Sequence, residues 1–485
     1  MKINTLLFTS ILPLLFTSAW AEDYYFTRGV EGESATRNWS DLKNWNTGAT
    51  SGDGWTTSEA AAQPGLDISN RDVVTLGVNS GFNGADTDLN GINLDVDASL
   101  SKLIISESSN LPTEITSSNG SSLFLSAPLQ STTVSEQSPS VFDKNSSSSF
   151  VFNTDIEIET SAGLADGGSY SSLWTRMYFY AGTTTFSDGY TISSKTNSLS
   201  GTNGDIRFYA GNSALQSSQV VVNINSKLVS PSQQIVFGGS GGTGSYTGKF
   251  VLGGSESNEL TGYMIVENDV TLVLNKSNGA LAVTGARFQI LGGTIIFMGD
   301  NQISTSTQLS FSQASTSSTA TQPLMQLNGF SQQVRNVRFE AASWLSKGAS
   351  IRPVLDFGEN SSAQTFTFEG FEFGGLVSRA DAETSKGLII ADSAFVIKNY
   401  NIGEDHLIST VKLSDHLLST TIEDVEGMTW MDFLVFEGYD MDLYDIVETA
   451  NGSNWEYSLV AVPEPAIAAA ILGALAIAFA AYRRK

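Results

Sequence analysis

"TLVLNKSNGALAVTGARFQILGGTIIFMGDNQIS", residues 271–304, reads as strand, turn and strand again. Val270, Leu272 and Leu274 recur at every second position, which places them on one face of an extended segment. A cluster of Asn, Ser and Gly interrupts the run before "GGTIIFMG" (292–299) resumes it. The same texture spreads outward in both directions. "SSLFLSA" (121–127), "FVFNTDIEIET" (150–160), "RMYFYAG" (176–182) and "VVVNIN" (220–225) are short apolar runs bounded by turn residues. No long stretch between 22 and 461 carries a helical period.

Composition agrees with many short strands. The chain has 485 residues with 45 Gly and only 15% charged side chains, poor material for long helices. Its net charge of −25 excludes a nucleic-acid partner and opposes binding to an anionic membrane surface. With no cysteine there is no disulfide, no thiolate metal site and no cysteine nucleophile.

A repeat emerges from "YFYAG" (178–182) and "RFYAG" (207–211), which align Phe179 with Phe208 at an interval of 29 residues. The same step reaches Phe150 backward and Phe237, Val266 and Ile295 forward, all apolar and all within strand-like runs. A period of this size predicts a right-handed parallel β-helix: an all-β solenoid in which each coil stacks its inward apolar residues on the last. The expected organisation is a signal peptide at 1–21, a Trp-rich N-terminal cap at 22–60 and the solenoid at 61–400. A C-terminal β cap and linker at 401–461 and a sorting segment at 462–485 complete it.

The two ends carry targeting signals. "MKINTLLFTSILPLLFTSAWAEDYYF" has a basic Lys2, an apolar core over 6–16 and the small-x-small pattern Ala19-Trp20-Ala21, where cleavage is expected. At the other end, Ala466–Tyr482 is an uncharged, almost wholly apolar run. As a helix it would reach about 25 Å, near the thickness of a hydrocarbon core. Pro463 and Pro465 precede it, and Arg483, Arg484 and Lys485 would hold its far end in the cytoplasm. Both ends predict residues 22–461 outside the cell.

The order Val462-Pro463-Glu464-Pro465, apolar helix and Arg-Arg-Lys resembles the PEP-CTERM sorting signal of Gram-negative bacteria. That resemblance implies recognition by an exosortase, passage through the inner membrane and delivery to the cell surface or extracellular matrix. The middle of the chain resembles autotransporter-type β-helix passengers and proteins with autotransporter-associated strand repeats. The similarity lies in 271–304, "LMQLNGFSQQVRNVRF" (324–339) and "VLDFGENSSAQTFTF" (354–368), with "RNWSDLKNWNTG" (37–48) similar to their opening Trp-Asn element. Residues 60–150 depart most from the pattern.

Chemistry is sparse. His406 and His416 are the two histidines and stand in no metal-binding pattern. Ser240 in "GGSGG" (238–242) lacks the helix a nucleophile elbow needs, and Lys249 in "GGSGGTGSYTGKF" lacks a phosphate loop's spacing and following Ser or Thr. Asn153-Thr154-Asp155 is similar to a pectin-hydrolase motif, and the pairs Asp86/Asp88 and Asp95/Asp97 have the oxygen donors that Ca²⁺ takes. Turn capping and solvated strand positions account for these carboxylates more simply. Trp39, Trp45 and Trp55 would cap the apolar column rather than stack on sugars. No catalytic residue, metal or cofactor is expected. The reading is a structural or adhesive surface protein whose candidate partner is extracellular polysaccharide. A carbohydrate-binding or polysaccharide-cleaving β-helix, a lyase or hydrolase, is the alternative.

Overall fold

The computed structural model describes residues 23–26, 36–47, 62–66, 72–77, 91–106, 112–126, 140–160, 174–196, 205–211, 220–230, 234–239, 248–267, 270–312, 322–340, 352–359, 362–374, 394–410 and 429–462. Single positions 474, 482 and 483 are also described. The signal-peptide residues Ala19 and Ala21 lie outside these. So do Pro463, Glu464, Pro465, Arg484, Lys485 and all but two residues of 466–482.

The body is a parallel β-solenoid. A 13-stranded first sheet runs from the N-terminal strands Trp45–Asn46 and Asp23–Phe26 to Phe371–Gly374, parallel throughout except for that opening pair. A 12-stranded second sheet, wholly parallel, runs from Gly91–Asn93 to Leu434–Phe436. A six-stranded third sheet extends from Ala98–Leu100 to Glu259–Leu260. A five-stranded fourth sheet takes its place in the coil from Gln332–Gln333 onward. The chain visits first, second and third faces in turn, and the next coil pairs with the one before at ~4.8 Å.

Alternation is what makes these segments strands. Phe150–Asn153, Thr183–Phe186 and Arg287–Ile290 each bury every second side chain. Val270, Leu272 and Leu274 all point into the core. Inward residues of successive coils then meet: Phe152 stacks on Phe186 at 4.9 Å, Phe208 on Phe237 at 5.3 Å, and Phe237 touches Phe250 at 5.1 Å. Burial of each such ring contributes roughly 1.5–3 kcal/mol, and each aromatic pair about 0.5–1.5 kcal/mol more.

The coil interval is not constant. Phe208, Phe237 and Val266 are register partners at the expected step. Phe179, however, pairs with Ala210 rather than Phe208, and Phe150 and Ile295 belong to the second sheet. Partners lie 21 residues apart at Arg287 and Gln308, and 39 apart at Leu103 and Phe142. Extra residues accumulate between strands, where lengthening a loop adds little free energy. The stretch 60–150, least repeat-like in sequence, carries coils of the same kind, including Val73–Leu76, Lys102–Ile105 and Glu114–Thr116.

Polar side chains also stand inside the column. The Nζ of Lys144, fully buried, donates to the carbonyls of Ser146, of Ser148 at 2.7 Å and of Ala181 at 3.0 Å. From Asn258 onward an amide ladder joins coils at the corner before the third face. Gln302 accepts from Lys276 N–H, Gln332 accepts from Gln302 N–H, Gln364 accepts from Gly329 N–H, and Asp405 accepts from Gln364 N–H. Its run from Lys276 through Gln302 to Gln332 crosses the stretch where the third face has no strand, only the Val283–Ile303 bridge. Side-chain amides there supplement the scattered backbone bonds that join the coils.

Both ends of the column are covered. Trp39 and Trp45 are buried with ring centroids 4.7 Å apart, and their indole N–H groups donate to Pro64 and Trp39 carbonyls. Neither has a face left for a sugar, and Trp55 lies outside the described residues. At the other end a short helix, Trp430–Phe433, packs on Phe339 and Phe373, and an antiparallel hairpin, Tyr444–Asn451 with Asn454–Ala461, closes the fourth sheet. Such closure hides strand edges that would otherwise pair with other chains.

Candidate functional site on the third face

The outward side chains of the third sheet form axial columns, because each strand exposes alternate residues and the coils stack in register. Ser99, Phe124, Glu157 and Ser193 make the central column. Ser122 pairs with Asp155 on one side, and Ser126, Glu159 and Lys195 align on the other. All of these but Ser126, together with Asp97 and Thr191, line an open groove of about 730 Å³ that crosses four coils.

Each carboxylate has a defined neighbour. Asp97 accepts from the N–H of Ser122 at 2.8 Å, and Asp155 from the N–H of Thr191 at 2.7 Å, so each pins the next coil at its corner. Asp95 does the same for Ser40, through its N–H at 2.9 Å and its hydroxyl at 2.5 Å. Glu159 accepts from the Ser126 hydroxyl. Glu157 faces the ammonium of Lys195 at 3.0 Å, and that ammonium also lies 5.3 Å from the centre of the Phe124 ring. The groove thus combines hydroxyls, carboxylates, one aromatic face and one cation.

Chemically this arrangement offers hydrogen-bonding groups and charge on an open surface. Among the described residues no group of three or more His, Asp or Glu is placed to hold a metal. Asp155 of the Asn153-Thr154-Asp155 motif does reach the groove, but its neighbour Asn153 points to the second face, where it donates to Glu114 at 2.9 Å. Thr154 is buried and donates to the Ser121 carbonyl at 2.8 Å. Asp86, Asp88, Ser240 and His416 lie outside the described residues. His406 contacts Glu456 at 2.5 Å across the C-terminal sheet, far along the chain from the groove. Lys249 sits within a second-sheet strand, paired to Thr271, not at the start of a helix.

The first face is polar in a different way. Arg207 bonds the Tyr209 hydroxyl at 2.8 Å and pairs with Asp205 at 3.2 Å and Glu267 at 3.4 Å. Burial raises the carboxyls of Asp205 and Glu267 above their ordinary range, with the Arg207 charge opposing. Gly238 leaves room for this cluster, since a Cβ there would stand 2.8 Å from both the Tyr209 ring and Glu267. Further along, Arg338 bridges Glu340 at 2.8 Å and Glu372 at 3.0 Å, and Arg287 reaches Glu340 at 2.9 Å. Cations and anions alternate there and neutralise one another.

Val462 is the last described residue of the body. Its N–H donates to the Leu443 carbonyl at 2.8 Å, and its side chain is exposed. Arg483 is described with a helical backbone. Among the described residues no helix is long and apolar enough to cross a membrane.

The groove residues Phe124, Glu157, Glu159 and Lys195 were not singled out by motif. The run Asp155, Glu157, Glu159 does alternate visibly in "DIEIET", but nothing local tells which residues stand beside it one coil away. Compared with protein-family models, curated proteins and solved structures, the chain matches none of them.

Proposed function

We propose that the chain is an exported, exosortase-processed protein of a Gram-negative cell surface or extracellular matrix, with a structural and adhesive solenoid of right-handed coil. In this reading Ala19 and Ala21 mark signal-peptide cleavage, and Val462, Pro463, Glu464 and Pro465 form the sorting motif. Residues 466–482 span the inner membrane transiently, and Arg483, Arg484 and Lys485 hold the cytoplasmic end. The middle is taken as a relative of autotransporter-type passengers.

The observation that supports this best is that the folded body carries up to the proposed sorting motif. The hairpin ladder carries through Val462, whose N–H donates to the Leu443 carbonyl, and the next residue in sequence is Pro463, which has no N–H to donate. The described part of the column thus extends to the first residue of the proposed sorting motif. A stiff column built this way presents its outer faces at a distance from its tether. The groove on the third face favours glycan binding as the form adhesion takes.

The test is fractionation of cells expressing the full chain. Removing 462–485 should release soluble ectodomain, and replacing Pro463 and Pro465 should hold the precursor in the inner membrane. Unchanged surface display in both variants overturns the sorting reading.

A further inference from the structure

Lys195 shows what the third-face groove holds. Its ammonium rests on Glu157 at 3.0 Å and beside the Phe124 ring at 5.3 Å, yet its side chain remains 59% exposed. A carboxylate and an aromatic face at one point form a seat for an amine. Here the protein's own lysine occupies it, on a long side chain that pays rotamer entropy to stay. An exposed pair of this kind is weak, so a ligand amine of similar chemistry can displace it.

From this we infer that the groove binds a linear glycan carrying free amino groups, a glucosamine polymer, with one sugar amine replacing Lys195 on Glu157. The groove holds four carboxylates, Asp97, Asp155, Glu157 and Glu159, against the single cation of Lys195, so the charge balance favours a cationic strand over a uronate one. Each of the four coils presents hydroxyls or carboxylates to the groove (Ser99 with Asp97, Ser122, Asp155 with Glu157 and Glu159, Thr191 with Ser193), so hydrogen-bonding groups recur at the ~4.8 Å coil step, close to the length of one hexopyranose unit. Hydrogen-bonding groups spaced like sugars, beside an amine seat, favour a glycan over a basic peptide. The inference deepens the adhesive part of the proposed function and does not depend on how the chain is sorted.

The experiment is calorimetric titration of the purified full chain with a glucosamine tetramer, its N-acetylated form, a galacturonate tetramer and tetralysine. The glucosamine tetramer should bind and should weaken as salt is raised. N-acetylation should reduce affinity about tenfold or more. Two variants give opposite signs: Glu157→Gln should weaken binding about tenfold, and Lys195→Ala should tighten it roughly two- to fivefold, the worth of the exposed pair it removes. A tightening cannot come from misfolding, which keeps the test meaningful even if Glu157→Gln perturbs the sheet. No binding of the glucosamine tetramer, stronger binding of the galacturonate tetramer, equal binding of tetralysine, or weaker binding by Lys195→Ala each overturns the inference. None of these results bears on surface display, so failure here leaves the sorting proposal standing.

Discussion

Replacing Lys144 by Met tests whether a buried ammonium fastens two coils together. The Lys144 side chain is inside the column, and its Nζ donates to Ser146, Ser148 and Ala181 carbonyls, the last one coil away. Methionine fills similar volume but donates nothing, leaving three acceptors unsatisfied at about 1–3 kcal/mol each. Against this stands relief from burying a charge. Burial lowers the Lys144 pKa from 10.5 to about 8. At 1.36 kcal/mol per unit the charged form is disfavoured by about 3 kcal/mol. The difference is a net loss of about 3 kcal/mol at neutral pH. The sign of the pH dependence follows from linkage. Below pH 8 the lysine is protonated in both folded and unfolded chains and adds no slope. Between pH 8 and 10.5 the unfolded chain binds more protons, so stability rises with pH, by about 2 kcal/mol at pH 9.5. Lys276, also lowered to about 8 by burial, contributes a similar rise of its own and keeps it in the variant. Urea unfolding at pH 7 and 9.5 should therefore show a gap between wild type and Lys144→Met that widens with pH. Hydrogen exchange should place the loss in 140–153 and 174–186, because coils interact with their neighbours only. A variant within 0.5 kcal/mol of wild type, or a gap that stays constant with pH, refutes the reasoning.

Three further substitutions probe other parts of the column. Phe237→Ala removes the ring that links Phe208 to Phe250 and should destabilise by about 3–5 kcal/mol, read as a shifted urea midpoint. Gly182→Ala should destabilise by about 2 kcal/mol or more, since the residue has φ +66 and its Cβ would fall 2.3 Å from the Ser147 carbonyl oxygen. Thermal unfolding checks it, with Gly120→Ala as the control for a positive φ in open space. Gln332→Leu removes both side-chain bonds to the preceding coil, stranding Gln302 N–H and the Gly299 carbonyl, and should lose about 2–4 kcal/mol with faster exchange at Gln302.

Much of the column was legible in the sequence, and what was not has a physical cause. Alternation in "FVFN" and "RFQI" identifies strands because a half-buried strand must obey a two-residue period. Register between coils is another matter. Aligning "YFYAG" with "RFYAG" sets Phe179 on Phe208, but the sheet sets Tyr178 on Tyr209 and Met177 on Phe208. The error is two residues, which keeps every side chain on its correct face, so the pattern still looked right. Lys144 was hidden differently. A register shift before Met177 buries both Val141 and Phe142, and the period that Phe142 sets then carries Lys144 inward. The amide ladder leaves only a weak trace, a Gln or Asp two positions before Val334, Phe366 and Leu407, because one hydrogen bond per coil needs one residue per coil. The groove was least legible, since its residues come from coils separated by unequal loops.

Charge placement links the fold to function more directly than total charge does. The chain carries a net −25, yet on the first face Arg207 lies among Asp205 and Glu267, and Arg338 lies between Glu340 and Glu372. Alternating signs along the axis cancel at any distance beyond about one Debye length, ~8 Å in physiological salt. That face stabilises the stack without projecting a field. On the third face Asp97, Asp155, Glu157 and Glu159 have, among the described residues lining the groove, Lys195 alone as a counter-charge, so these residues leave a negative balance there. A cationic ligand approaching the column would be steered to the third face by this imbalance, and a polyanion would be turned away from it. Because coils repeat both patterns along one axis, recognition on this column would depend on which face a ligand lies against.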